Sequence, residues 1–129
     1  MARILFVDDD PETLETLTKA VGIFGHQALL ASCGEEALAV AKGQLPDLIL
    51  MDMYLPDMQG VALLKRLKEQ LTEAVPMLVL SAGPENGAAE KAIAAGARAY
   101  LNKPIRLQTL LDVIEEYTTV SLHGTNQPS

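Results

Sequence analysis

Tryptophan is absent from this 129-residue chain, and Phe6, Phe24, Tyr54, Tyr100 and Tyr117 are its only aromatic side chains. Half of the residues (49%) are nevertheless hydrophobic, so a core is available and it must be aliphatic. A lone cysteine, Cys33, excludes a disulfide framework and a cysteine zinc site, and fits a reducing compartment. Basic residues never cluster beyond Lys65-Arg66-x-Lys68, and a net charge of −7 counts against direct binding to nucleic acid. No apolar run approaches a membrane span. Met1-Ala2-Arg3 is followed by only four apolar residues before three aspartates, which is not a signal peptide. The length suits one domain. Together these features predict a small, acidic, soluble, cytoplasmic domain with no membrane partner.

What is present alternates between strand and helix. Ile4–Val7 is a short continuous apolar run, as expected of a strand buried on both faces of a parallel sheet. Asp10 can cap, and Pro11 can open, a helix with an apolar stripe of Leu14, Leu17, Val21 and Phe24, which Gly25 ends. Gln27–Ala31 is a weaker second strand. Ser32-x-x-Glu35 has capping-box spacing ahead of Ala37, Leu38 and Ala41, with Gly43 as the stop. Leu48–Met51 is a third strand, ending at Asp52, and Tyr54–Gly60 is a loop before a helix bearing Leu63, Leu64, Leu67 and Leu71. Met77–Leu80 is a fourth strand closed by Ser81. An Ala-rich helix around 88–95 reaches Gly96, Tyr100-Leu101 lies in a short fifth strand, and Leu107–Tyr117 is the last helix. Five βα units without a long linker predict a doubly wound α/β domain over 1–120 with right-handed crossovers. Residues 121–129 are polar and read as a frayed tail or a linker stub.

In a parallel sheet the residues just after each strand meet at one edge, where open α/β sheets bind ligands. Here that edge receives Asp8, Asp9 and Asp10, then Asp52, Ser81, and finally Asn102-Lys103-Pro104. Crowded carboxylates raise one another's pKa unless a cation intervenes. A hard divalent ion with oxygen ligands is the natural remedy, and Mg²⁺ accepts a few carboxylates plus waters and phosphate. A carboxylate beside Mg²⁺, a hydroxyl and a lysine can take up a phosphoryl group. Asp52, alone at the end of a central strand, is the nucleophile candidate, and Asp8 and Asp9 would hold the metal. Ser81 would hydrogen-bond a phosphate oxygen and Lys103 would pair with another.

Four segments, Ile4–Asp9, Asp47–Gly60, Met77–Ala82 and Gly96–Pro104, resemble the receiver domains of bacterial two-component response regulators. The resemblance runs from Arg3 to about Tyr117, and its strength lies in the order and spacing of four motifs. It implies a flavodoxin-like fold, a five-stranded parallel sheet of order 2-1-3-4-5 with five helices. It also implies that Asp52 is the phosphoacceptor and that Asp8 and Asp9 are the acidic metal-binding pair. The backbone carbonyl of Tyr54 would be a further ligand to Mg²⁺, beside Asp52 itself. Ser81 matches the switch hydroxyl that moves to bind the phosphoryl group, Lys103 the lysine that binds it, and Tyr100 the aromatic switch. The Lys103–Pro104 bond is usually cis in such domains.

The implied function is that of a switch rather than an enzyme with a separate substrate. A histidine kinase or phosphotransfer protein would supply the phosphoryl group, and the domain would assist its own phosphorylation and dephosphorylation. The face formed by the fourth helix, fifth strand and fifth helix would then control a target protein or output domain. No output domain is expected within these 129 residues. Several departures accompany the match. Ser81 stands for the commoner Thr, and the bulk of Tyr54 predicts hindered water access and a longer-lived phosphoryl group. Arg98-Ala99 replaces acidic residues and counts against the charge-paired dimer of one subfamily, although a phosphorylation-dependent homodimer remains open. Arg106 is a poor N-cap where Asp is common.

Other classes fare worse. A haloacid-dehalogenase-type phosphatase needs Thr or Val where Glu12 stands, and a flavodoxin-like FMN site would be repelled by Asp8–Asp10. The nearer alternative is a receiver-like scaffold that binds proteins without being phosphorylated. Asp57 and Gly60 read as turn residues, His26 and His123 as surface residues, and Cys33 as a capping-box filler.

Overall fold

The computed structural model describes residues 2–71, 74–82 and 87–123, the side chains of 119–123 apart. The apolar runs form strands β1 (Arg3–Val7), β2 (Gln27–Ala31), β3 (Leu48–Met51), β4 (Met77–Ser81) and β5 (Ala99–Asn102). Between and after them come helices α1 (Pro11–Ile23), α2 (Gly34–Gly43), α3 (Gly60–Gln70), α4 (Ala88–Ala94) and α5 (Leu107–His123). All neighbouring strands pair in parallel, in the order β2-β1-β3-β4-β5, as the sequence predicts.

Alternation along each strand sorts the core into two layers. Leu5, Val7, Ile49, Met51, Met77 and Val79 face α2, α3 and α4. Ile4, Phe6, Leu48, Leu50, Leu78 and Leu80 face α1 and α5. The runs are unbroken because both faces are covered, and each aliphatic side chain so buried contributes on the order of 1.5–3 kcal/mol.

Asp10 caps α1, accepting from the Glu12 amide at 3.3 Å and the Thr13 hydroxyl at 2.6 Å. Leu14, Leu17 and Val21 are buried as expected, but Phe24 is 56% exposed. The stripe stops short of it because Phe24 is the C-cap, followed by Gly25 at φ +85°. There the His26 amide reaches back to the Val21 carbonyl and the Gly25 amide to that of Gly22. These two bonds close a Schellman motif, which needs the left-handed residue. His26 is partly buried rather than fully exposed, and its Nδ1 accepts from the Ala2 amide at 3.1 Å.

The capping box predicted at Ser32 and Glu35 does not form. Ser32 instead donates its amide and hydroxyl to Glu36, and Cys33 is the N-cap but its side chain bonds none of the helix amides. The amides of Gly34 and Glu35 are satisfied from the β3–α3 loop by Asp57, at 2.8 and 2.9 Å. Leu71 ends α3 as a half-buried C-cap rather than a buried stripe residue. The backbone of α5 continues past Tyr117 to His123. The His123 side chain and the tail over 124–129 lie outside the described residues.

Candidate functional site at the carboxyl edge of the sheet

Register brings the acidic residues together. Val7 lies opposite Met51, so the next residues, Asp8 and Asp52, leave adjacent central strands side by side. The Asp52 amide donates to the Val7 carbonyl at 2.9 Å, and the Asp8 amide to Ala31 at 3.1 Å. Across the sheet Ser81 lies opposite Asn102, and the Lys103 amide donates to the Ser81 carbonyl at 2.9 Å. β1 is also where the strand order turns, with β2 on one side and β3 on the other, the position at which open sheets bind ligands.

Lys103 reaches back over this edge. Its ammonium lies 2.5 Å from Asp8 Oδ2 and 3.3 Å from Asp52 Oδ2. The other oxygen of Asp8 accepts from the Asp10 amide at 2.9 Å, and that of Asp52 from the Tyr54 amide at 3.3 Å. Asp9 completes an acidic group: one carboxylate oxygen each from Asp8, Asp9 and Asp52 lies within 4.8 Å of the others. Asp8 is buried, Asp52 half-buried and Asp9 exposed, so the group opens to solvent on one side. Beneath it are Phe6, Leu17, Leu50 and Leu80.

This setting perturbs the titrations. Burial pushes the Asp52 carboxyl above its ordinary 3.8 and the Asp8 charge adds to the rise, with Lys103 opposing both. Burial disfavours the Lys103 ammonium, but the hydrogen bond it donates to Asp8 and the charges of Asp52 and Asp8 outweigh it and raise its pKa above 10.5. One ammonium thus pairs with two of the three carboxylates. The donors are all hard oxygens, and an excess of negative charge remains, so the residues fit a small divalent cation such as Mg²⁺.

The other predicted residues fall around this centre. Ser81 is 1% exposed at the end of β4. Tyr100 is half-buried in β5, three residues before Lys103, and packs on the core layer covered by α4. The Lys103–Pro104 peptide is cis. Sequence reading took Asp57 for a turn residue and missed that its carboxylate joins the loop after Asp52 to α2, although the partners lie 22 and 23 residues apart. It also missed a groove of about 520 Å³ beside Lys103, with Thr13, Thr16, Leu17, Pro104 and Ile105 in its walls.

Comparison with known proteins agrees with this architecture. Residues 4–115 match the family model of the response regulator receiver domain. The chain belongs to that family. PilH of Pseudomonas aeruginosa is 36% identical over 115 residues, which cover 88% of this chain and 95% of PilH. The transcriptional regulatory protein KdpE of Mycobacterium tuberculosis is 36% identical over 111 residues, or 86% of this chain but 48% of KdpE. Among solved structures, a CheY-like receiver domain protein from Methanospirillum hungatei superposes with a TM-score of 0.90 at 28% identity. That match covers 96% of this receiver and 98% of the other chain. A two-component response regulator from Clostridium difficile gives 0.88 at 25% identity, covering 98% and 100% of the two chains. No described helix of the receiver is long and apolar enough to cross a membrane.

Proposed function

We propose that Asp52 accepts a phosphoryl group from the phosphohistidine of a histidine kinase or phosphotransfer protein, and that the aspartyl phosphate switches the domain. The observation that carries this reading is the Asp52 carboxylate at the end of β3, paired with Lys103 and flanked by two further carboxylates. In the transfer, an Asp52 oxygen bonds to phosphorus as the phosphorus–nitrogen bond breaks, and the donor imidazole leaves with a proton. Asp8, Asp9, Asp52 and the backbone carbonyl of Tyr54 would hold Mg²⁺. Bound there, the ion would supply positive charge to the equatorial oxygens of the transferred group.

The chain's own groups do the rest. Lys103 gives its ammonium to a phosphoryl oxygen in place of a carboxylate, a charge-assisted bond that its raised pKa keeps available at neutral pH. Ser81 donates its hydroxyl to another oxygen, and Tyr100 on β5 follows that movement. The response then reaches the α4–β5–α5 face, where Ile93 and Leu107 are about half exposed. The groove beside Lys103, with Leu17, Pro104 and Ile105 next to Asp10 and Glu12 in its walls, offers the donor protein a seat of mixed polarity. The domain serves as a cytoplasmic phosphoacceptor that assists its own phosphorylation and dephosphorylation. It controls a target protein or an output domain, with a phosphorylation-dependent homodimer as one form of response. The bulk of Tyr54 beside the acceptor favours a long-lived phosphoryl group.

Beryllofluoride, a phosphoryl mimic, tests the switch. With Mg²⁺ it should shift the backbone NMR signals of Ser81, Tyr100, α4 and α5 in the wild type, and less so in Lys103→Ala. No shift in the wild type would leave the protein-binding scaffold as the better reading.

A further inference from the structure

Asp57 does something that a solvent-facing turn residue does not. The loop between β3 and α3 leaves Asp52 and closes on itself: Tyr54 bridges to Gln59, and the Leu55 amide donates to the Met58 carbonyl at 3.1 Å. Where the loop rejoins α3, Gly60 packs so closely that a Cβ there would lie 3.0 Å from the Asp52 carbonyl oxygen and from Met53 Cα. At the tip the loop is fastened to a different element. Asp57 accepts from the Gly34 and Glu35 amides, supplying the cap that Cys33 lacks at the start of α2. Met58 covers Gly34 so tightly that a Cβ there would sit 2.5 Å from its sulfur. The two amides hold the Asp57 carboxyl below its ordinary range.

We propose that Asp57 is a positioning residue for divalent-ion binding, fixing the Tyr54 backbone beside Asp52 by anchoring the loop tip to the α2 N-terminus. The inference rests on the metal reading above. Tyr54 would contribute through its backbone, so no side chain of its own can set its place. The loop base and the α2 anchor do this instead. Releasing the anchor leaves the three carboxylates in place but lets the Tyr54 segment wander, and affinity falls without loss of the acceptor. Support from outside the ligands is worth about ten- to a hundredfold in metal affinity at comparable sites.

Mn²⁺ serves as the probe, its free signal followed by electron paramagnetic resonance, so that binding is read without phosphorylation. Asp57→Ala should bind Mn²⁺ about tenfold more weakly than wild type, and Asp57→Asn, which keeps one acceptor oxygen, should lose less. Ser32→Ala removes a hydroxyl bond at the same end of α2 without touching the loop, and should bind like wild type. Should Asp57→Ala fail to fold, Asp57→Asn decides alone. Wild-type affinity in the folded Asp57 variants, or an equal loss in Ser32→Ala, would overturn the proposal. Failure of the wild type itself to bind Mn²⁺ would overturn the metal reading beneath it.

Discussion

Asp52 is held against opposing influences. Its burial and the neighbouring Asp8 favour the neutral acid, while Lys103 favours the carboxylate, and the first two prevail. A carboxyl whose folded pKa is raised stabilises the fold below its unfolded value and loses that contribution as pH climbs through the folded value. Asp52→Asn removes the charge and should therefore melt a few degrees above the wild type at pH 7 in metal-free buffer. The advantage should vanish as the pH falls to the ordinary carboxyl pKa of 3.8, where Asp52 itself is becoming neutral. Thermal melts across that range check both the sign and the pH dependence, and a lower melting temperature for the variant at pH 7 would refute the balance. Lys103, whose pKa is also raised, has a linkage of the same sign at much higher pH. Its ion pairs contribute fully below 10.5 and are lost only as pH rises through the higher folded value.

At the scale of elements, legibility follows the range of the interaction. The strands were readable because burial on both faces demands unbroken apolar runs, and Leu48–Met51 coincides with β3. Asp10 was readable because a cap and its amides are neighbours in sequence. The start of α2 was not, since its cap arrives from Asp57 and nothing local to Ser32 announces it. Phe24 fits the helical period but falls after the last turn, where the chain leaves the core. The β3–α3 junction shows how closely two elements can be joined. Gly60→Ala would press a methyl against the backbone of Asp52 and Met53 at 3.0 Å, where no flexible side chain can give way. We expect a loss of about 1–3 kcal/mol in denaturant unfolding, the cost of overpacking, together with weaker Mn²⁺ binding. An unchanged unfolding midpoint would show that the junction tolerates the methyl.

For the whole molecule, the sheet order turns one-dimensional spacing into a single chemical edge. Asp8, Asp52, Ser81 and Lys103 lie far apart in the chain, yet each follows or ends a strand, and parallel pairing in order 2-1-3-4-5 gathers them. That gathering was legible in the sequence once the strands were recognised. The short reach of Lys103 to both carboxylates was not, because it depends on the path of the chain after β5. The chain spans 95% of PilH but 48% of KdpE, so the relatives it matches differ widely in length. The central claim is that this edge exists to place a phosphoryl group on Asp52. Intact mass spectrometry after incubation with Mg²⁺ and acetyl phosphate tests it most directly. The account predicts one phosphoryl group on the wild type and none on Asp52→Asn. No adduct on the wild type, or the same adduct on both, would contradict it.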